Sequence, residues 1–366
     1  MLQSLIRRPR RILMTVDAVG GVWRYALDLA RELAHAGDSI VLAGLGPGPS
    51  AAQAKEAQAF ADLAWLKTPP DWMTRNEDDL EMLPQEVRAL VGDYAIDLVH
   101  LNAPTQAVGL DLPCPVVTVS HSCVVTWLHA VRGQAVDGEW AWQRDRNRRG
   151  FDWANAVVAP SRSHADMLEA CYGPIARLSV VSNGARPGPK AERREPVVLA
   201  AARWWDEAKN AATLDQAAAL TKWPVFAAGP LEGGDRQRAN FSNVVPLGPV
   251  CHDEVRRLMA GAGIFVSPSV YEPFGLAALE AATSATPLVL ADIPTYRELW
   301  NGAAMFYDVH DPRDLARCVD GLSDDTQHRR RLGDAAARRA RKFSPERQAA
   351  AMRDIYHRAA PAVAER

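Results

Sequence analysis

The chain alternates short apolar runs with longer stretches whose apolar positions recur every three or four residues. Residues 11–16, 39–43, 98–101, 115–119, 156–159 and 178–181 are compact, largely apolar runs. Such runs predict strands buried on both faces, because a strand with one wet face would alternate polar and apolar positions. Residues 22–35 set Ala26, Leu29, Ala30 and Leu33 on one helical face, and Gly37 ends that helix. Helical stretches between the remaining runs complete a strand–helix rhythm, which predicts a parallel sheet covered on both sides.

The rhythm stops at residues 183–194, NGARPGPKAERR, a turn-rich and charged stretch that reads as a linker. It then resumes. Strands are predicted at 197–201, 225–228, 244–247, 264–266 and 287–290, and helices at 210–220, 253–259, 275–282 and from 311 onward. Two doubly wound α/β halves are therefore expected, one over 1–185 and one over 186–345. Open sheets of this kind take ligands beyond the carboxyl ends of their strands, so a cleft between the halves is the expected site.

Composition supports that layout. At 366 residues the chain exceeds one ordinary core, and 48% hydrophobic with 23% charged residues is globular. A net charge of −2 speaks against nucleic-acid binding through a broadly basic surface. The cysteines at 114, 123, 171, 251 and 318 form no CxxC and read as buried or inert thiols, not a disulfide frame or zinc site. The opening MLQSLIRRPRRILMTV lacks the continuous apolar stretch of a secretory signal. Residues 112–131 carry no charge over a length that could span a bilayer. They also hold Pro113, Pro115, two His, two Ser and two Thr, and are read as a buried strand leading into a polar loop. A cytoplasmic location is expected.

The densest chemical signal is SPSVYEPFGLAALEA at residues 267–281. Glu272 is expected in the loop after a strand, and Glu280 about two turns into the following helix. The backbone N–H groups of Phe274, Gly275 and Leu276 would then favour an anionic ligand at the helix start. The plainer alternative is a solvated helix with two surface carboxylates; the strand before it and the EPFG turn favour the site. In AARWWDEAKN, Arg203 and Lys209 bracket a loop after a strand. Two such cations suit a diphosphate, although Asp206 and Glu207 could simply neutralise them. In VDAVGGVWRY, Gly20 and Gly21 would let a ligand approach the backbone, or form an ordinary tight turn. The pattern is not GxGxxG, so a nicotinamide cofactor is not expected. His121, at the end of a buried strand, could bond a substrate hydroxyl or be a structural histidine.

Taken together, these residues resemble the retaining, nucleotide-sugar-dependent glycosyltransferases of family 4, with their two-domain GT-B architecture. The likeness runs through GGVWRYALDLARELAHAGDSIVLAG, HADMLEACYG, LSVVSNGA, ARWWDEAKN, YEPFGLAALEA, PLVLADIPTYREL and FSPERQAAAMRDIYHRA. The resemblance implies that Arg203 and Lys209 neutralise the donor diphosphate and that Gly20 and Gly21 approach it from the first domain. Glu280 would hold ribose hydroxyls, and Glu272 the transferred sugar beside the Phe274, Gly275 and Leu276 backbone. His121 would contact that sugar. The base would rest on loops near Gly229-Pro230 and 249–252, with Pro230 and Val250 as contacts. The closing segment 346–366 would cross back to the first domain. The resemblance further implies same-face attack, a donor phosphate oxygen taking the acceptor proton.

No Asp-x-Asp occurs in the chain, so the carboxylate pair that often holds Mg²⁺ or Mn²⁺ on nucleotide sugars is missing, and neither metal nor cofactor is expected. The expected donor is a nucleotide-diphosphate sugar, and the acceptor a carbohydrate or lipid-linked hydroxyl. Trp127, Trp140 and Trp142, with Trp153 nearby, offer stacking faces for an acceptor groove, or else pack the core. Trp204 and Trp205 stand where relatives often carry small or aliphatic residues. The first eleven residues hold four Arg and no acid, and from Gln327 onward eleven Arg/Lys face four Asp/Glu. Those cations could touch an anionic membrane at the inner face, or form a solvated helical surface. Two other readings stay open: a sugar-nucleotide epimerase on the same fold, and a silent sugar-nucleotide-binding protein.

Overall fold

A computed structural model describes residues 9–234 and 237–360. The basic residues Arg7 and Arg8, and the end of the chain from 361, lie outside the described residues. Two compact units result. The first holds residues 9–129, 134–182 and 345–360, and the second holds 183–344 together with 130–133.

The first unit is built on seven parallel strands, β1 (Arg11–Asp17), β2 (Ser39–Leu45), β3 (Asp62–Trp65), β4 (Leu98–Leu101), β5 (Val116–Val119), β6 (Ala156–Ala159) and β7 (Leu178–Val180). Their order is β3-β2-β1-β4-β5-β6-β7. β4, β5 and β6 are buried at every position, as uninterrupted apolar runs require when helices cover both faces. The second unit has six parallel strands: β8 (Glu195–Ala201), β9 (Val225–Ala228), β10 (Val245–Gly248), β11 (Ala262–Ser267), β12 (Leu288–Ala291) and β13 (Met305–Tyr307). They run in the order β10-β9-β8-β11-β12-β13. Each sheet reverses its winding once, at β1/β4 and at β8/β11. Those reversals are where two neighbouring loops leave the carboxyl edge in opposite directions and open a crevice.

Three features depart from the sequence reading. β3 and β13 escaped it, being a half-buried edge strand and a three-residue run. Trp65 of β3 lies over Gly44, where a Cβ would stand 2.0 Å from its ring, so glycine there makes room for the edge. The stretch after β5 is also not merely a polar loop, because Val124–Arg132 is a helix. Among the described residues no helix is long and apolar enough to cross a membrane. All five thiols are free, so they build no disulfide frame; Cys318 is buried and Cys251 exposed.

The C-terminal helix, Pro345–Ala359, belongs to the first unit although it follows the second in sequence. Its buried face, Gln348, Ala349, Met352, Ile355, Tyr356 and Ala359, recurs at helical spacing and packs on α1 (Gly21–His35). Burying Met352, Ile355 and Tyr356 stabilises this docking by about 1.5–3 kcal/mol per side chain. Arg353 adds an ion pair, with Nε 3.5 Å from Asp38 Oδ2.

Candidate active site

In the second unit, the residues singled out by sequence stand on loops at the carboxyl ends of neighbouring strands. Arg203 and Lys209 follow β8, Pro230 follows β9, Val250 follows β10 and Glu272 follows β11. The β8 loop is pinned from within: Trp204 is buried, and its Nε1 donates to the Ala228 carbonyl at 2.9 Å. Its backbone N–H reaches the Pro230 carbonyl, also at 2.9 Å. Trp204 therefore serves the core, not a sugar-stacking face. Gly229, at φ 119°, has no room for a Cβ, which would lie 1.9 Å from the Ala202 carbonyl oxygen.

The two loops flanking the winding reversal are tied together. The Val270 N–H donates to the Ala208 carbonyl at 2.9 Å, and Asn210 Nδ2 reaches the Pro268 and Val309 carbonyls at 3.2 and 2.9 Å. Asn210 adopts φ 51°, a left-handed turn that aims the preceding lysine and opens the next helix. Lys209 Nζ lies 2.6 Å from Glu272 Oε1, and Ser269 Oγ donates to the same oxygen at 3.1 Å. Both charged side chains are mostly buried, exposed by 14% and 18%.

Glu272 leads into the helix Leu276–Thr283, whose N-cap Gly275 has φ 86° and supplies no side-chain cap. The first-turn amides take no bond from the N-cap residue and lie at the positive end of the helix dipole, where an anionic ligand is favoured. Phe274 itself is buried and packs edge-on against Phe343. Glu280 is the fifth residue of this helix, so it sits just over one turn in, not two. Its Oε1 accepts from His252 Nε2 at 2.7 Å.

The four predicted charges make three separate sets of contacts. Lys209 and Glu272 meet, Glu280 pairs with His252, and Arg203 lies against Trp205, its guanidinium 5.3 Å from the ring centroid. Arg203 also faces Asp206 at 3.8 Å and keeps 38% of its side chain exposed.

In the first unit, Gly20 adopts φ 121° and is the N-cap of α1, again without a side-chain cap of its own. His121 follows β5 and hydrogen-bonds through Nε2 to Asn102 Oδ1 at 2.9 Å. Burial pushes its imidazole down to about 3, so the ring is neutral at ordinary pH. Trp127 and Trp140 are half-buried; half-buried Trp142 donates from Nε1 to the Arg75 carbonyl at 3.2 Å. Trp153 is 48% exposed and bonds the Leu110 carbonyl. Among the described residues, no group of three or more His, Cys, Asp or Glu is placed to hold a metal ion.

The family model described as Glycosyltransferase Family 4 matches residues 19–187, and that described as Glycosyl transferases group 1 matches residues 195–339. The chain belongs to glycosyltransferase family 4. Among curated relatives, this family 4 chain is 35% identical to a D-inositol 3-phosphate glycosyltransferase of Streptomyces bingchenggensis over 124 residues. That match takes in 32% of this chain and 27% of the relative. An enzyme of the same name from a Nocardioides species is 34% identical over 32% of this chain and 26% of its own. The match thus spans about a quarter of these relatives' length. Among solved structures, sucrose-phosphate synthase from Thermosynechococcus elongatus superposes with a TM-score of 0.78 at 17% identity, covering 95% of this chain and 98% of that one. Anabaena Alr3699/HepE, solved with UDP-glucose, gives 0.74 at 17% identity over 95% and 99% of the two chains. At such identities the likeness is one of fold, the GT-B architecture of two Rossmann-like units.

Sequence reasoning missed several partners in this family 4 site. His252 was placed only in a base-contacting loop, not on Glu280. Ser269 and Asn210 sit beside the named residues and went unremarked. Asn102 carried the same positional signal as His121, a polar residue directly after a buried strand.

Proposed function

We propose that the protein is a retaining glycosyltransferase that moves a sugar from a nucleotide-diphosphate sugar to a hydroxyl of a glycan, glycolipid or small-molecule acceptor, without a metal. The observation that carries this reading is the Lys209–Glu272 pair at the β8/β11 reversal, beside a helix whose N-cap residue supplies no side-chain cap. An ammonium has three N–H donors, and Glu272 takes one. Two remain for phosphate oxygens, so the pair need not break when the donor binds. Lys209 and Ser269 both occupy Oε1 of Glu272, which leaves Oε2 to accept from a sugar hydroxyl. Arg203, half-exposed, adds a fork-shaped donor for the second phosphate. Glu280, oriented by His252, takes ribose hydroxyls, and the loops at Pro230 and Val250 take the base.

Cleaving the anomeric C–O bond leaves negative charge on the departing diphosphate and positive charge on the sugar. Fixed cations and helix-terminal amides stabilise the first without reorganising at the moment of reaction. The acceptor attacks from the face the leaving group vacates, and a phosphate oxygen of that group takes its proton. No protein nucleophile is required. His121, neutral, accepts a hydrogen bond from a sugar hydroxyl, while Trp127, Trp140 and Trp142 are proposed for the acceptor side.

The UDP and UDP-glucose complexes of HepE support a nucleotide sugar and put UDP-sugars first in the test. The experiment is a thermal-shift panel of UDP-, GDP- and ADP-sugars, followed by NMR of the anomeric configuration of the product. One donor class should raise the melting temperature, because a ligand that binds only the folded state stabilises it by mass action. A silent panel, or an inverted product, would overturn the reading.

A further inference from the structure

Behind His121 lies a chain of side chains that the transfer chemistry does not use. Asn102, just beyond β4, is buried, and its Nδ2 donates to the Thr15 carbonyl. That bond fixes which end of the amide is oxygen. Oδ1 therefore accepts, and it lies 2.9 Å from His121 Nε2 and 3.2 Å from His100 Nε2. An amide oxygen cannot donate, so both imidazoles must carry their proton on Nε2. His100 is held to the same choice from its other side, where the Tyr356 hydroxyl donates to Nδ1 at 2.7 Å. Tyr356 stands on the C-terminal helix, as does Gln348, whose side chain meets the buried Tyr25 hydroxyl. The Tyr25 ring packs edge-on against His121 with centroids 4.2 Å apart.

We propose that Asn102 is a positioning residue for His121: its amide oxygen, locked by Thr15 and by the Tyr356–His100 pair, fixes His121 as the Nε2–H tautomer and so presents Nδ1 as the acceptor for a substrate hydroxyl. This rests on the role given to His121 above. The arrangement needs neutral imidazoles, each with a single N–H. Burial supplies that condition by pushing His100 down to about 4 and His121 to about 3. A neutral ring whose one proton is committed to Asn102 has a single remaining lone pair, and it faces away from Asn102. The C-terminal helix thereby contributes to the chemistry through geometry, without touching substrate.

The test reads the tautomer directly, by long-range ¹⁵N–¹H correlation on ¹⁵N-histidine-labelled full-length protein. Wild-type His121 and His100 are expected as Nε2–H at neutral pH; His121 as Nδ1–H would overturn the proposal whatever the activity. Tyr356→Phe, which removes one hydroxyl, should shift the His100 Nδ1 resonance and leave His121 as Nε2–H. An unmoved His100 Nδ1 would remove that pair from the lock. Asn102→Leu should mix the His121 tautomers and lower kcat by about tenfold or more, with donor KM changed less than about threefold. A folded Asn102→Leu enzyme with one His121 tautomer and unchanged kcat contradicts the proposal. The underlying role of His121 is tested separately by His121→Ala. If that variant transfers at the wild-type rate, the role fails while the tautomer result stands on its own.

Discussion

Two buried histidines, His100 and His164, and the half-buried His121 make the first unit acid-sensitive in a calculable way. Burial lowers His100 and His164 from the ordinary 6.5 to about 4, and His121 to about 3. As pH falls through 6.5 the unfolded chain takes up these protons first, while the folded unit refuses them. Stability from these groups is thus fully present above 6.5 and lost on the way down toward 4, or toward 3 for His121. Between about pH 7.5 and about pH 5, linkage gives a loss of ~2 kcal/mol per histidine, or about 6 kcal/mol for all three. The perturbation that isolates the effect is His164→Leu, because His164 lies outside the proposed chemistry. Urea unfolding at the two pH values, with deuterium labelling of β5 and β6 reporting on the first unit, gives the two stability differences. The variant should lose about 2 kcal/mol less than wild type between them, whatever the substitution costs at neutral pH. Carboxylates titrate equally in both proteins and cancel. Equal losses in the two proteins would show that His164 is not held neutral by burial, and would refute the reasoning for all three.

Two further outcomes follow from the second unit. Gly275→Ala forces a left-handed residue to carry a Cβ 2.6 Å from the Tyr296 ring, which cannot retreat because it is fully buried with its hydroxyl on Ser267. The cost should be about 2–4 kcal/mol in urea unfolding of that unit, with weakened donor binding; a change below about 0.5 kcal/mol would mean the turn is not as tight as described. Turnover in EDTA should match turnover without it, and activity lost to EDTA and restored by Mg²⁺ would end the metal-independent account.

How much of this was legible beforehand depended on the kind of residue. Buried parallel strands announce themselves, because both faces must be apolar; β4, β5 and β6 could be read to the residue or nearly so. Edge strands do not, and β3 hides because its burial depends on Trp65 finding Gly44 on another strand. Lys209 and Glu272 were legible as residues that follow strands, and they do meet. Their surroundings were not. That Trp204 would turn into the core, that His252 would reach Glu280, and that Arg203 would lie on Trp205 are decisions of tertiary packing, written in no local pattern. Asn102 shows the same limit: its position was readable, but its role comes from Thr15, His100 and Tyr356, brought together from three distant parts of the chain.

The central claim is that the Lys209 ammonium, held by Glu272, stabilises the charge developing on a departing diphosphate. Steady-state transfer by Lys209→Met, with the donor identified in the panel, tests it most directly. Losing one fixed charge at the leaving group should lower kcat by about 10²–10³-fold, equivalent to ~3–4 kcal/mol of barrier. A folded Lys209→Met enzyme that transfers sugar at the wild-type rate would contradict the account.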